Sequence, residues 1–177
     1  MTFKAKLSKA LNEKDVENIY RNELVKIQGS EIVSPYGVDG LLKAKNIRSL
    51  LEFKYNDQFK NKLCQSNVLI QCLYYLKKFE DNGEKLPSTI FVGDINECFC
   101  IHTNSVIKYL SSEIDWKIAP SEAHRRNFEL VQAMVNDVDI LPFVFDIDDK
   151  FEIHSIFEKL TEFSMNVIKK VRVTKHN

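Results

Sequence analysis

The sequence has no excess of charge of either sign, because Lys and Arg together number 25 and so do Asp and Glu. Overall charge therefore gives no argument for binding a polyanion, and any contact with nucleic acid has to come from local clusters of basic residues. With 44% hydrophobic residues in a chain of 177, the composition is that of a globular protein large enough to bury a core. We expect one domain, or one domain with a helical extension.

Long hydrophobic runs are also missing from the sequence. Residues 1–6 lack the apolar stretch of a secretory signal peptide, and no run approaches the length that spans a bilayer. The chain has neither an internal repeat nor a low-complexity tract. The sequence therefore predicts a cytoplasmic protein with no membrane partner.

The cysteines do not include the Cys-x-x-Cys pair that is typical of many metal sites. Cys98 and Cys100 would share one face of a strand, so a metal or iron–sulfur site there is the alternative interpretation. Reduced, buried thiols are favoured for all of them, because a free cysteine behaves as a small hydrophobic residue. The residues concerned are Cys64, Cys72, Cys98 and Cys100.

Residues 37–55 carry the pattern with the clearest chemistry. They are predicted to form two short strands joined by a polar loop, with Asp39 at the start of the first strand and Glu52 and Lys54 at the end of the second. Because side chains alternate along a strand, Glu52 and Lys54 point to the same face. A carboxylate and an ammonium group beside a second carboxylate make a site for a hard divalent cation and a nucleophilic water.

This pattern resembles a known family motif. Asp39, twelve intervening residues and then Glu52-Phe53-Lys54 are similar to the signature of the PD-(D/E)XK nuclease superfamily, with Val38 where the name has Pro. The predicted helix downstream carries Gln71 and Tyr75, similar to the Gln-x-x-x-Tyr that follows the catalytic strand in several branches. The matching order of elements covers residues 12–101, about half of the chain.

The resemblance implies a fold and an activity. The expected fold is an α/β/α restriction-endonuclease-like core with a mixed central sheet over residues 1–110. A helical extension over residues 111–177 would pack on this core and lead into a further domain of a longer parent chain. The expected activity is that of a Mg²⁺-dependent DNA endonuclease, with Mn²⁺ able to substitute. Its catalytic residues would be Asp39, Glu52, Lys54 and Gln71.

Metal ligands are implied as well. Asp39 and Glu52 would bind Mg²⁺, and the first predicted helix, from Asn12 or Asp15 to about Gln28, offers a further acidic group. An apolar stripe of Val16, Ile19, Tyr20, Leu24 and Ile27 defines the inner face of this helix. Glu23 falls near the middle of that stripe and Glu17 at its edge. Both are candidate ligands, because a carboxylate that faces inward is costly unless it is paired. A surface position is the alternative for either.

The DNA contacts implied by the resemblance are less specific. They include Tyr75 on the helix, the lysines of the loop between the two strands, and the densest local basic cluster, residues 124–126. The candidate DNA-binding residues are therefore Tyr75, Lys43, Lys45, Arg125 and Arg126. For each lysine and arginine, the alternative is an exposed side chain that contacts only solvent.

The expected partners follow from the same resemblance. Residues 37–101 look like the cleavage domain of large restriction-modification polypeptides, in which methyltransferase and target-recognition domains follow. Double-strand cleavage would require a homodimer on DNA. Two other functions stay open: an inactive interaction module with a nuclease fold, and a metal-dependent nuclease acting on RNA. The sequence does not indicate a long basic groove, and this absence slightly favours the inactive module.

Two acidic features outside this motif are weaker. Asp94 follows an apolar segment, residues 89–93, and is predicted to form a turn rather than to reach the site. Asp146, Asp148 and Asp149 cluster near a strand interrupted by Pro142. Nothing nearby supplies the glycine and distal glutamate of a calcium loop, so a second metal site is disfavoured.

Overall fold

The computed structural model describes residues 1–45, 47–145 and 152–174. In this part of the chain, six strands form one sheet in sequential order. They are β1 (Glu31–Val33), β2 (Gly40–Ala44), β3 (Ile47–Phe53), β4 (Thr89–Gly93), β5 (Glu97–His102) and β6 (Phe143–Val144). β3 and β4 run parallel, and the other neighbouring pairs are antiparallel. The expectation of an α/β protein with a mixed central sheet is confirmed.

Helices lie on both faces of this sheet. They are α1 (Phe3–Leu7), α2 (Glu13–Leu24), α3 (Lys62–Asp81), α4 (Ala123–Arg126), α5 (Phe128–Asp137) and α6 (Ile153–Thr174). One buried cluster joins α3 and α5 to Leu50 and Ile90, and another joins α1, α2 and α6 to Leu51 and Phe91. Successive residues of one strand enter different clusters because side chains alternate across a sheet. The sheet is therefore the middle layer of three.

Helix α3 connects the two parallel strands. A parallel pair needs a crossover of a dozen or more residues, and the 20 residues of α3 supply it. Its apolar residues are too numerous for a narrow stripe, and most of the helix is buried, as the sequence predicts. The crossover brings the carboxyl-terminal ends of β3 and β4 to the same edge, where Lys54 N donates to Gly93 O over 2.9 Å. The candidate residues Glu52 and Lys54 therefore lie at that edge.

Helix α2 begins as predicted but ends early. The Asn12 side chain accepts a hydrogen bond from Asp15 N over 3.0 Å and caps the helix. The helix ends at Leu24 rather than near Gln28, and Gly29 then adopts a left-handed φ of 72°. The five-residue helix α1 that precedes it has no counterpart in the sequence-based prediction.

The region after residue 110 contributes to both the sheet and a core. β6 pairs with the outer side of β5, an edge position that suits a strand close after Pro142. The Phe157 ring of α6 lies 5.1 Å from the ring of Phe91 in β4. Asp146, Asp148 and Asp149 lie outside the described residues. The expected lead into a further domain stays a prediction.

Two other expectations concern the described residues as a whole. None of the helices in the described ranges has the length and apolar character needed to cross a membrane. All four cysteines are free, and burial raises the pKa of the Cys72 and Cys98 thiols.

Candidate active site

Asp39, Glu52 and Lys54 converge at the carboxyl-terminal end of β3. Gly40 pairs with Leu51 in the antiparallel β2–β3 ladder, so the residue before β2 lies beside the end of β3. Asp39 uses this position to accept a hydrogen bond at Oδ2 from Phe53 N over 2.8 Å. The structure therefore brings together the three residues on which the sequence motif rests.

Glu52 and Lys54 form a close ion pair. Lys54 Nζ donates to Glu52 Oε1 over 2.5 Å and to the Phe53 carbonyl over 3.1 Å. The Glu52 side chain is fully buried, and its Oε2 has no hydrogen-bond partner. A buried carboxylate oxygen without a donor is costly, so its lack of a partner calls for an explanation.

Burial and pairing shift the pKa values of this cluster. Burial raises the pKa of Glu52 to about 8, although the charge of Lys54 acts in the opposite direction. Burial, the largest single effect, would lower the pKa of Lys54, but Glu52, Glu13 and Asp39 together outweigh it and the pKa is raised. Burial also raises the pKa of Asp39, against the hydrogen bond from Phe53 N. Near pH 7, without a metal ion, Glu52 mostly keeps its proton and Lys54 stays charged.

The acidic residues of α2 divide into two groups. Glu13 and Glu17, one helical turn apart, both raise the pKa of Asp39 electrostatically. Glu13 Oε2 also lies 3.5 Å from Lys54 Nζ. Arg21 Nη1 links this group to β2, donating to the Asp39 carbonyl and lying 3.4 Å from Glu17 Oε1. Glu17 is therefore brought towards the cluster.

Glu23 lies elsewhere. Its two carboxylate oxygens accept hydrogen bonds from Lys6 of α1 and from Lys26, and the side chain is buried. Both oxygens are thus already engaged. Glu13 was not among the predicted residues, although its spacing of four from Glu17 places the two on one face of a helix and would have identified it.

An open cleft of about 370 Å³ lies beside Lys54. Its lining comes from α2, α3 and the segment around α4, and includes Glu13, Lys54, Asn67, Gln71, Ser121 and His124. Gln71 Nε2 donates to Tyr75 Oη over 3.4 Å. Tyr75, on the same helix, belongs to the buried cluster and is only 7% exposed, so it offers little surface to a ligand. Gln71 is therefore the member of this pair that faces the cleft.

The basic residues predicted to bind DNA lie outside this cleft. Arg125 and Arg126 are exposed on α4, and Arg125 Nη1 donates to both oxygens of Glu122 over 3.1 Å. Lys43 and Lys45 line a separate depression at the turn between β2 and β3. Of the predicted basic cluster, His124 lines the cleft, and Ser121, which lines it too, was not predicted as a site residue.

Asp94 holds the loop that follows Lys54. Its Oδ2 accepts from Asp57 N over 2.9 Å and its Oδ1 from Asn96 N over 3.1 Å, which is the turn predicted for this residue. Its carbonyl accepts from Tyr20 Oη over 2.8 Å. The preceding Gly93 leaves room for that tyrosine, because a Cβ there would lie 2.6 Å from the Tyr20 ring. This packing fixes the end of β4 against α2 beside the cluster.

The cluster offers two carboxylates, rather than three or more protein ligands, to a Mg²⁺ ion. Among residues 1–45, 47–145 and 152–174 there is no group of three or more His, Cys, Asp or Glu side chains placed to hold a metal ion. Mg²⁺ is, however, commonly held by one or two carboxylates, with water and substrate phosphates completing its six ligands. Asp39 and Glu52 supply two such carboxylates, and Glu52 Oε2 lacks another partner.

Comparisons of the chain with protein-family models, with curated proteins and with solved structures find no match. The class of protein is defined by the fold and the site: an α/β protein with a mixed sheet, in which the buried Glu52 pairs with Lys54 beside the carboxylate of Asp39. The assignment of a function rests on the physical argument below.

Proposed function

We propose that this protein is a Mg²⁺-dependent deoxyribonuclease that hydrolyses phosphodiester bonds, with a restriction-endonuclease-like fold. The observation that carries the proposal is the fully buried Glu52, which has one unpartnered oxygen and lies beside Asp39 and Lys54, and of these three residues Lys54 lines an open cleft. The layering of helices on both faces of a mixed sheet supports the proposed fold.

The cost of this arrangement argues for a role in function. Burying an acidic side chain whose hydrogen bonds are incomplete lowers stability relative to an apolar residue of similar volume. Here the cost is visible as a Glu52 pKa of about 8, well above its ordinary value. Strongly shifted pKa values beside a cleft are characteristic of sites that bind or react with a ligand. A divalent cation would satisfy the free oxygen and favour the ionised carboxylate.

The charge around the cleft also favours a metal-dependent reaction. Acidic side chains outnumber basic ones near Lys54, and they include Glu13, Glu17, Asp39, Glu52 and Asp57. A phosphodiester would be repelled by this cluster unless a cation offset the negative charge. The neutral side chains of the cleft, among them Gln71, can donate hydrogen bonds to phosphate oxygens but cannot supply that charge.

The residues of the chain then have separate roles. Asp39 and Glu52 would hold the ion, and the chemistry that Mg²⁺ supplies when bound is a lowered pKa of water and partial neutralisation of the phosphate. Lys54 keeps its proton because its pKa is raised. It would therefore donate hydrogen bonds to the attacking water and to the charge that develops on the phosphate, rather than act as a base. Gln71 would orient the same water from α3.

Plasmid cleavage tests the proposal. Supercoiled plasmid is incubated with Mg²⁺ or Mn²⁺ and with the wild type, Asp39→Ala or Lys54→Ala. Wild-type protein should nick or linearise the plasmid, and each substitution should lower the rate at least about a hundredfold. Glu129→Ala and Lys117→Ala are the matched controls, because both residues are exposed and outside the cleft, and they should keep wild-type rates. Activity that survives both site substitutions would show that the site is wrongly assigned.

One observation favours a second candidate, an inactive interaction module with the same fold. The described residues contain no three-ligand metal group, and the Glu52–Lys54 pair satisfies part of its own charge. Calorimetric titration with Mg²⁺ separates the two, because an enzyme of the proposed kind binds the ion and loses this binding in Asp39→Ala. Parallel assays with DNA and RNA substrates decide between the two polymers.

The wider expectations from the resemblance stay predictions. They are the methyltransferase and target-recognition domains of a restriction-modification enzyme, a homodimer on DNA and a cytoplasmic location. Sedimentation with bound DNA addresses the dimer, which a persistently monomeric complex would contradict.

A further inference from the structure

A second depression, of about 630 Å³, lies at the turn between β2 and β3, at the other end of β3 from the active-site cluster. Its charged lining residues are Lys43, Lys45, Arg48 and Lys85 together with the single acid Glu31. We call these four basic residues and the space between them the basic cleft. Because the chain as a whole is neutral, this is a local concentration of positive charge.

Two of the four cations are left without an acidic partner among the described residues. Lys43 pairs with Glu31 over 3.1 Å, and Arg48 pairs with Glu84, outside the depression, over 3.2 Å. The described ion pairs include none to Lys45 or Lys85, and both side chains are exposed. The cleft therefore has charge available for an anion.

The backbone at Lys45 is a separate observation. Ala44 pairs with Ile47, so the turn between the strands has two residues, and Lys45 adopts a left-handed φ of 46°. Such turns favour Gly, Asn and Asp, because a residue with a longer side chain is strained there. The backbone therefore holds Lys45 at the tip of the turn, where its side chain is exposed beside the cleft.

Arg48 is held in place beside it. Its guanidinium carbon lies 5.6 Å from the centre of the Phe79 ring, and Nη2 donates to Glu84. Its Nε is buried and has no hydrogen-bond partner. The exposed part of this immobilised guanidinium, 27% of the side chain, is suited to an oxyanion such as phosphate.

We infer that the basic cleft binds the phosphodiester backbone of a nucleic acid, outside the cleft in which hydrolysis is proposed. This inference rests on the proposed function and addresses what that site lacks, because the acidic end of β3 cannot supply electrostatic affinity for a polyanion. Arg48 and Glu52 are four residues apart on one strand, roughly 13 Å at 3.3 Å per residue. One helical turn of duplex, about 34 Å long, is sufficient to reach both ends.

Binding without hydrolysis tests the inference. The anisotropy of a labelled 30-base-pair duplex is measured in EDTA over a range of salt concentrations, with the full chain and with the double variant Lys45→Gln/Lys85→Gln. The double variant should lose about two units of the slope of log affinity against log salt, and at least about tenfold in affinity at 0.1 M salt. The control Lys9→Gln/Lys117→Gln removes the same charge from exposed residues outside the cleft and should stay within about twofold of wild type.

Several results would overturn the inference. Equal losses in the two double variants would mean that binding depends only on overall charge, and no loss in Lys45→Gln/Lys85→Gln would mean that the cleft is not used. Competition with inorganic phosphate and with a single-stranded oligonucleotide, at equal phosphate concentration, distinguishes the source of the anion. If inorganic phosphate competes as well as the oligonucleotide, the cleft takes free phosphate rather than a backbone. Circular dichroism verifies that all variants are folded.

The outcome is independent of catalysis. If the double variant loses affinity while plasmid stays uncut, the basic cleft is a nucleic-acid site of an inactive module. If plasmid is cut but the double variant binds as wild type does, the proposed function holds and this inference fails.

Discussion

Replacing Glu52 with glutamine should remove much of the pH dependence of the free energy of unfolding. Glutamine is close in shape to a protonated glutamate and can still accept the hydrogen bond from Lys54 Nζ. It therefore mimics the form of Glu52 that the fold favours, in which the buried carboxyl keeps its proton. The wild type and Glu52→Gln should accordingly be similarly stable in acid and diverge as the pH rises.

The sign and size of this divergence follow from the pKa of Glu52. It rises from an ordinary 4.5 to about 8 in the folded protein. Below pH 4.5 both the folded and unfolded chains hold the proton. Between 4.5 and 8 only the folded chain does, so wild-type stability falls with rising pH, by up to about 1.4 kcal/mol per unit. The loss is roughly 3 kcal/mol at pH 7 and approaches about 5 kcal/mol above pH 8. Lys54 is charged in both states throughout this range.

Urea unfolding monitored by circular dichroism measures the effect. Curves are recorded from pH 5 to pH 9, without divalent cations, for wild type, Glu52→Gln and the exposed control Glu129→Gln. The advantage of Glu52→Gln over wild type should grow with pH and level off above pH 8, whereas the control should stay within about 0.5 kcal/mol of wild type at every pH. A difference between Glu52→Gln and wild type that is the same at pH 5 and pH 9 would refute the reasoning, because it would show that Glu52 titrates near its ordinary pKa.

Two other predictions concern the same region. If Mg²⁺ binds at Glu52 as proposed, it has to displace the proton, so its affinity measured by calorimetry should rise almost tenfold per unit of pH up to about pH 8 and then level off. An affinity that does not change between pH 6 and pH 8 would contradict this. Gly93→Ala should lower the free energy of unfolding by about 1 to 3 kcal/mol in urea titration, because the new methyl group would overlap the Tyr20 ring. Gly93 has no positive φ, so the loss would come from this overlap, and a change smaller than about 0.5 kcal/mol would contradict the prediction.

The centre of the candidate site could be predicted because it depends on local geometry. Alternation along a strand puts Glu52 and Lys54 on one face, and a short hairpin brings Asp39 back beside them. What the sequence could not supply is the register, in which Gly40 pairs with Leu51 and Asp39 Oδ2 therefore reaches Phe53 N. If the register between β2 and β3 were shifted by one residue, Asp39 would face the opposite side of the sheet from Glu52 and Lys54.

The choice among the acids of the first helix shows where periodicity stops being informative. The apolar stripe of α2 indicates which residues face inward, and Glu23 is indeed buried. Periodicity does not indicate what an inward residue meets. Glu23 meets Lys6 of α1, a helix too short to give a clear periodic signal. Glu13 begins the helix, where an acid also interacts favourably with the helix dipole, so only its spacing from Glu17 indicates the site.

The C-terminal region shows the same limit. Phe157, Leu160, Phe163 and Ile168 recur at helical spacing in the sequence and correctly predict the helix α6. Phe157 is fully buried against the sheet. Phe163, which belongs to the same predicted pattern, is 70% exposed. A helix that crosses a sheet at an angle contacts it over only part of its length, and the angle depends on long-range packing. The pairing of β6 with β5 is likewise a contact over more than 40 residues that no local signal specifies.

Overall composition obscured the most informative electrostatic feature of the chain. A net charge of zero suggested that polyanion binding was disfavoured, yet β3 joins a basic end at Arg48 to an acidic end at Glu52. Averaging over 177 residues cancels these two regions, although each acts only over about a Debye length, 8 to 10 Å at ordinary salt. For a phosphodiesterase this separation has a physical logic. Lys54 already offsets one negative charge of the acidic site, so further cations beside it would weaken its hold on a divalent cation. The basic residues proposed to bind the backbone lie at the other end of β3, where the roughly 13 Å between Arg48 and Glu52 exceeds the Debye length at ordinary salt.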